Sequence, residues 1–194
     1  MEEKKKTKAL LLVDCQYDFI NGSLAVPQAE EKMEALAHYI DEHGGDYKVI
    51  IATADWHPDT HCSFKQNGGE WPTHCLKHSH GAAIYTPILE AVIKHQSPIV
   101  LTKGTDEARE EYSIFKNITS AEALNAWIDK DVVEQVDVCG IAGDICVLNT
   151  VKDGLRNFPS MNFNVLIDFT PSLDGGKALY GMLETSERFI LSHS

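Results

Sequence analysis

Val136-Asp-Val-Cys-Gly140-Ile-Ala-Gly-Asp144-Ile-Cys146-Val-Leu-Asn-Thr-Val-Lys-Asp-Gly-Leu155 passes from an apolar, β-rich run through a glycine turn into apolar residues at helical spacing. Val136 to Cys139 reads as a strand and Ile145 to Leu155 as the helix after it. Similar β-rich runs recur at Ala9 to Val13, Val49 to Ala52, Ile99 to Leu101 and Val165 to Ile167, and Phe189 to Leu191 can add an edge strand. Between them, periodic apolar positions predict helices over Glu30 to His43, Pro87 to His95, Ala121 to Ile128 and Lys177 to Leu183. Strands alternating with helices predict an α/β fold: a three-layer α/β/α sandwich around a mostly parallel sheet of about six strands. No repeat, low-complexity tract or linker interrupts the pattern, so residues 1–194 are expected to form one domain.

A chain of 194 residues buries enough surface to need neither a disulfide nor a metal merely to fold. Its apolar fraction of 43% and charged fraction of 24% are ordinary for a globular domain, which excludes a disordered or fibrous class. A net charge of −12 argues against nucleic acid or an anionic membrane as the main partner, because both are held through clustered Lys and Arg. The one basic run, Lys4 to Lys6 with Lys8, is short and terminal. Ala9-Leu-Leu-Leu-Val13 is too brief for a signal peptide's apolar region, and no segment reaches membrane-spanning length. The five cysteines are scattered, unlike the dense framework of a secreted mini-domain, so a reducing compartment, the cytoplasm, is expected.

The longest stretch without a helix or strand pattern runs from Asp55 to about Ala82 and holds five of the nine histidines. Structureless segments of that length inside compact domains are usually functional. In open α/β sheets, ligands bind beyond the carboxyl ends of the strands, and Asp14, Asp55, Lys103 and the Asp144 to Cys146 segment all follow predicted strands. Four strand ends therefore aim polar chemistry at one crevice.

In Asp55-Trp-His57, residues i and i+2 of an extended chain project to the same side, so a carboxylate and an imidazole can converge on one ion. His74, at the far end of the loop, can close the set. One carboxylate and two imidazoles leave coordination positions open and suit zinc, iron or manganese. Alone, an Asp-x-His pair is more often a surface or capping arrangement, and His61, Cys62, His74 and Cys75 offer an alternative structural zinc set. His61 is open between a fourth ligand, a donor to the ligands and a pocket wall. Cys146 falls in the first turn after a strand, where unpaired N–H groups and the helix dipole favour a thiolate, with Asp144 as N-cap. A single cysteine is more often a buried structural thiol, the reading given to Cys15, Cys62, Cys75 and Cys139. Asp14 and Lys103, however, add an acid/base and a cation to the same crevice.

Val13-Asp-Cys-Gln-Tyr-Asp-Phe19, Asp55-Trp-His-Pro58, Trp71-Pro-Thr-His-Cys75, Lys103-Gly104 and Gly140-Ile-Ala-Gly-Asp-Ile-Cys146 together resemble the successive signatures of the nicotinamidases, within the isochorismatase-like cysteine hydrolases. The resemblance implies Asp14, Lys103 and Cys146 as a catalytic triad, and Asp55, His57 and His74 as ligands of one divalent metal ion, zinc first. It implies an oxyanion hole from the backbone N–H groups of Ala142 and Cys146, with a cis peptide before Ala142. Phe19, Trp71 and Tyr112 would wall a pocket for a pyridine ring, with Gln16 and Ile141 nearby. The implied reaction is hydrolysis of nicotinamide to nicotinate and ammonia through a thioester, a step of NAD salvage, and a homo-oligomer is compatible with it. The alternatives are an amidohydrolase of an N-carbamoyl or ureido compound and a non-catalytic binding protein. Two positions depart from the usual pattern: Cys15 where an aliphatic residue is common, and Ile145 where some members carry His.

Overall fold

Lys8–Val13 (β1) divides its side chains between two faces: Leu10 and Leu12 enter one apolar cluster, and Ala9, Leu11 and Val13 the other. A strand buried on both faces reads as an unbroken apolar run, which explains Ala-Leu-Leu-Leu-Val. The computed structural model describes residues 7–128 and 132–193, and the basic run Lys4 to Lys6 lies outside them. After β1 come α1 (Tyr17–Ile20), α2 (Ala29–His43), β2 (Val49–Asp55), α3 (Thr86–Ile93), β3 (Ile99–Lys103) and α4 (Ile118–Trp127). They are followed by β4 (Gln135–Gly140), α5 (Leu148–Asn157), β5 (Asn162–Leu166), α6 (Lys177–Tyr180) and β6 (Phe189–Ser192).

The strands form one sheet in the order β3-β2-β1-β4-β5-β6, and each pairing is parallel. Met33, Leu36 and Ile40 of α2 and Ile88 and Val92 of α3 cover one face against Leu10, Leu12 and Ile50. Leu124 of α4 with Val151 and Leu155 of α5 covers the other against Leu11, Val138 and Val165. The expected three layers are present, with the sheet wholly rather than mostly parallel. Strand order reverses between β1 and β4, and in such sheets the ligand crevice opens beyond the carboxyl ends at that reversal. Asp14 leaves β1 there, and Gly140 leaves β4 beside it, with Val13 and Gly140 paired in register. No described helix is long and apolar enough to cross a membrane.

Some element boundaries differ from the sequence expectation. β5 occupies Asn162–Leu166 rather than Val165 to Ile167. Asparagine is a poor strand former, but Asn164 is paired here, its Nδ2 donating to Asp137 Oδ1 at 2.9 Å on β4. The helix expected from Ile145 opens with a π-helical turn over Gly143–Val147 and becomes α-helical at Leu148. Asp144 does not cap it: its Oδ1 accepts the Leu173 N–H at 3.0 Å and ties the turn to the loop before α6.

Gly140 has φ +120°, and a Cβ on it would lie 2.0 Å from the Val13 carbonyl oxygen. Backbone contact leaves no flexible atom to yield. Gly140→Ala is expected to lower stability by about 3 kcal/mol, combining strain with the clash. A urea unfolding midpoint unchanged from the parent would contradict this.

Candidate active site and metal centre

Asp14 takes a left-handed backbone conformation (φ +49°) as it leaves β1. Its N–H donates to the Thr53 carbonyl (3.1 Å), and its Oδ1 accepts the Thr53 hydroxyl (2.6 Å). Thr53 lies two residues before Asp55 on β2, so a single strand face both orients Asp14 and presents Asp55. Asp55 pairs in register with Lys103 at the end of β3. The Lys103 Nζ lies 2.8 Å from Asp14 Oδ2, 2.6 Å from Asp55 Oδ1 and 3.6 Å from Cys146 Sγ. The sequence-predicted triad is thus assembled from three strand ends, and Asp55 joins it.

All four groups are buried. Burial works against the Lys103 ammonium, but Asp14 and Asp55 outweigh it and push its pKa well above the ordinary value. Burial likewise favours a protonated Asp55, yet Lys103 and His57 hold its carboxyl below the usual range. For Asp14, burial dominates over Lys103 and raises the pKa. Burial also pushes the Cys146 thiol up; Lys103 opposes this, while Asp14 and Asp55 reinforce it. Burial beside two carboxylates thus opposes the thiolate that a helix start favours.

Asp55, His57 and His74 bring one ligand atom each within 4.8 Å of one another. His57 Nδ1 is held by the Gly104 carbonyl (2.8 Å) and His74 Nδ1 by the Pro72 carbonyl (2.7 Å), which leaves both Nε2 atoms for an ion. His57 Nε2 is buried and has no hydrogen-bond partner among the described residues. Burial favours the neutral form of His74, the form that ligates. This donor set fits a divalent metal ion. Gly104 (φ +64°) is required beside it, since a Cβ there would lie 2.2 Å from His57 Cε1. Asp14, Asp55 and Cys146 also converge, but the Lys103 ammonium occupies the place a cation would share.

His61 stands outside the trio. Its ring lies 4.0 Å from that of His57, and its two nitrogens are taken by the Ser63 hydroxyl (2.7 Å) and the Arg109 carbonyl (3.0 Å). Gln16 is not in the pocket wall: its amide donates to the Asp55 and Ala82 carbonyls and accepts the Asp55 N–H, each at 2.8 Å, clamping the metal-ligand strand. Ile141 is fully buried behind the turn, its N–H bonded to the Val13 carbonyl. The Ile141–Ala142 peptide is cis.

A pocket opens onto Cys146, lined by Phe19, Trp71, Tyr112, His74 and Ala142. The Trp71 indole N–H donates to the Tyr112 hydroxyl at 3.0 Å, which fixes two of these rings against each other. Leu24, Val26, Glu110 and Leu173 also line it and were not singled out from sequence. Leu173 lies far from every motif and gives no sequence signal, whereas Thr53 was readable from its i, i+2 relation to Asp55.

A family profile described as the isochorismatase domain matches residues 8–157. The chain belongs to the isochorismatase family. It is 32% identical over 182 residues to the nicotinamidase/pyrazinamidase of Mycobacterium tuberculosis (strain ATCC 25618 / H37Rv), covering 91% of this chain and 93% of that protein. The pyrazinamidase of Pyrococcus horikoshii, solved in complex with zinc, superposes with a TM-score of 0.81 at 30% identity, covering 97% of this chain and 99% of that one. PnC1 from L. infantum, solved in complex with nicotinate, gives 0.83 at 28% identity, with coverages of 98% and 94%. The family assignment and the site geometry agree, for the motifs that carry the family likeness are the segments that meet in this crevice.

Removing Lys103 would leave Asp14 and Asp55 buried together without their shared counter-ion. Lys103→Met is expected to cost about 3 to 5 kcal/mol at neutral pH. The deficit should shrink in acid, where both carboxylates take up protons, and urea unfolding across pH checks both statements.

Proposed function

We propose that this chain is a metal-dependent nicotinamidase, an amidohydrolase that converts nicotinamide to nicotinate and ammonia through a thioester on Cys146. The observation that carries the reading is the position of Cys146 Sγ, 3.6 Å from Lys103 Nζ on the wall of a pocket that Asp55 and His74 of the metal trio also border. The nicotinamidase and pyrazinamidase relatives support it, and they do not favour an N-carbamoyl substrate or a non-catalytic role. We assign residues 1–194 to one hydrolase domain acting on a small molecule, in cytoplasmic NAD salvage.

A divalent ion held by Asp55, His57 and His74, which we take to be zinc, would supply an anchor for the pyridine nitrogen. Phe19, Trp71 and Tyr112 hold the ring on its flat faces. Asp14, whose carboxylate is made more basic by burial, takes the Cys146 proton as sulfur attacks the carboxamide carbon. The negative oxygen rests on the backbone N–H groups of Ala142 and Cys146. Asp14 then delivers the proton to the departing nitrogen and ammonia leaves. The same carboxylate accepts a proton from water, whose oxygen attacks the thioester carbon and releases nicotinate and the thiol. Lys103 keeps Asp14 aligned, and its charge compensates the sulfur while that is anionic.

Cys146→Ala is expected to lower ammonia release from nicotinamide by at least about 10³-fold, and near-parental release would sink the covalent route. The profile of kcat/KM against pH should fall on the acid side with a midpoint above 3.8, the ordinary Asp value, because the required base form of Asp14 is lost there. An acid limb at or below 3.8 would argue against Asp14 as the base.

A further inference from the structure

The pocket beside Cys146 is mostly apolar, yet its lining includes an acidic residue, Glu110, that belongs to neither the triad nor the metal trio. Glu110 and Tyr112 both line it, while Glu111 between them does not. Glu111 is buried, and its Oε2 accepts the Gly104 N–H (2.7 Å) and the Asn117 amide (3.1 Å). It braces the backbone whose carbonyl holds His57. Glu110 has a different setting: its Oε1 accepts the adjacent Glu111 N–H at 3.0 Å, and it forms no salt bridge among the described residues. Burial raises the Glu110 pKa and Asp55 adds to this, while His57 and Lys103 oppose it, so Glu110 is electrostatically part of the site.

The reaction proposed above turns a neutral carboxamide into a carboxylate inside this pocket. Asp14 and Asp55 share the Lys103 ammonium in direct contact, and Asp55 faces the metal position; Glu110 makes no direct ion pair among the described residues. Like charges held close together away from bulk water repel strongly. We propose that Glu110 is a specificity-determining residue whose carboxylate admits the neutral amide and disfavours the anionic acid, weakening retention of the product. The inference rests on the nicotinamide reading.

Calorimetry on the full-length, metal-loaded Cys146→Ala chain separates the two, with nicotinamide and nicotinate titrated at one ionic strength. Adding Glu110→Gln should tighten nicotinate relative to nicotinamide by about tenfold, whereas Glu110→Asp, which keeps the charge, should preserve the parental ratio. Binding of both ligands with a ratio unmoved by Glu110→Gln overturns the assignment to Glu110 alone. A ratio moved equally by both variants overturns it too, because packing rather than charge would then decide. Failure of the parent to bind either ligand overturns the nicotinamide reading and this inference with it.

Discussion

The Lys103 ammonium, 1% exposed, is wedged between the carboxylates of Asp14 and Asp55. Taking an ammonium out of water costs several kcal/mol, and nearby counter-charges are what make its burial tolerable. The same pairing keeps two acids from repelling each other in a low-dielectric crevice. One ammonium against two carboxylates leaves a net negative charge beside the sulfur and the histidines. That excess suits a site meant to hold a divalent cation, and it also disfavours a resting thiolate.

The sheet makes this cluster geometrically available. Parallel strands bring their carboxyl ends to one edge, and the reversal of strand order at β1 and β4 opens a crevice between them. Asp14, Asp55 and Lys103 are strand-end residues whose side chains need to reach only a few ångströms. The long segment after β2 then folds back over them, with His57 N–H bonded to the Cys75 carbonyl so that His74 approaches His57. A core buried on both faces holds the strands, and so it also fixes the distances between the charges.

Much of this was legible in the sequence because it obeys short-range rules. Apolar runs gave the strands, and Asp-x-His at a strand end gave two ligand candidates on one side. The errors arose where tertiary pairing overrides local preference. Asn164 enters a strand because Asp137 satisfies it, and Asp144 bonds to Leu173 instead of capping a helix. Gln16, which the family resemblance implies near the pocket, spends its amide on the backbone of Asp55 and Ala82, a pairing that only the fold creates. A helix start that favours a thiolate is visible in sequence, whereas the burial beside two carboxylates that opposes it is not. Leu24, Val26, Glu110 and Leu173 reach the pocket only through the fold.

The central claim is that Cys146 becomes acylated during turnover. Rapid acid quench of the chain reacting with nicotinamide, followed by proteolysis and mass spectrometry, reads this directly. A nicotinoyl adduct on the peptide containing Cys146, formed and lost at rates that support steady-state ammonia release, is the predicted result. Turnover with an adduct on another residue, or with none at any quench time resolving the first turnover, would contradict it.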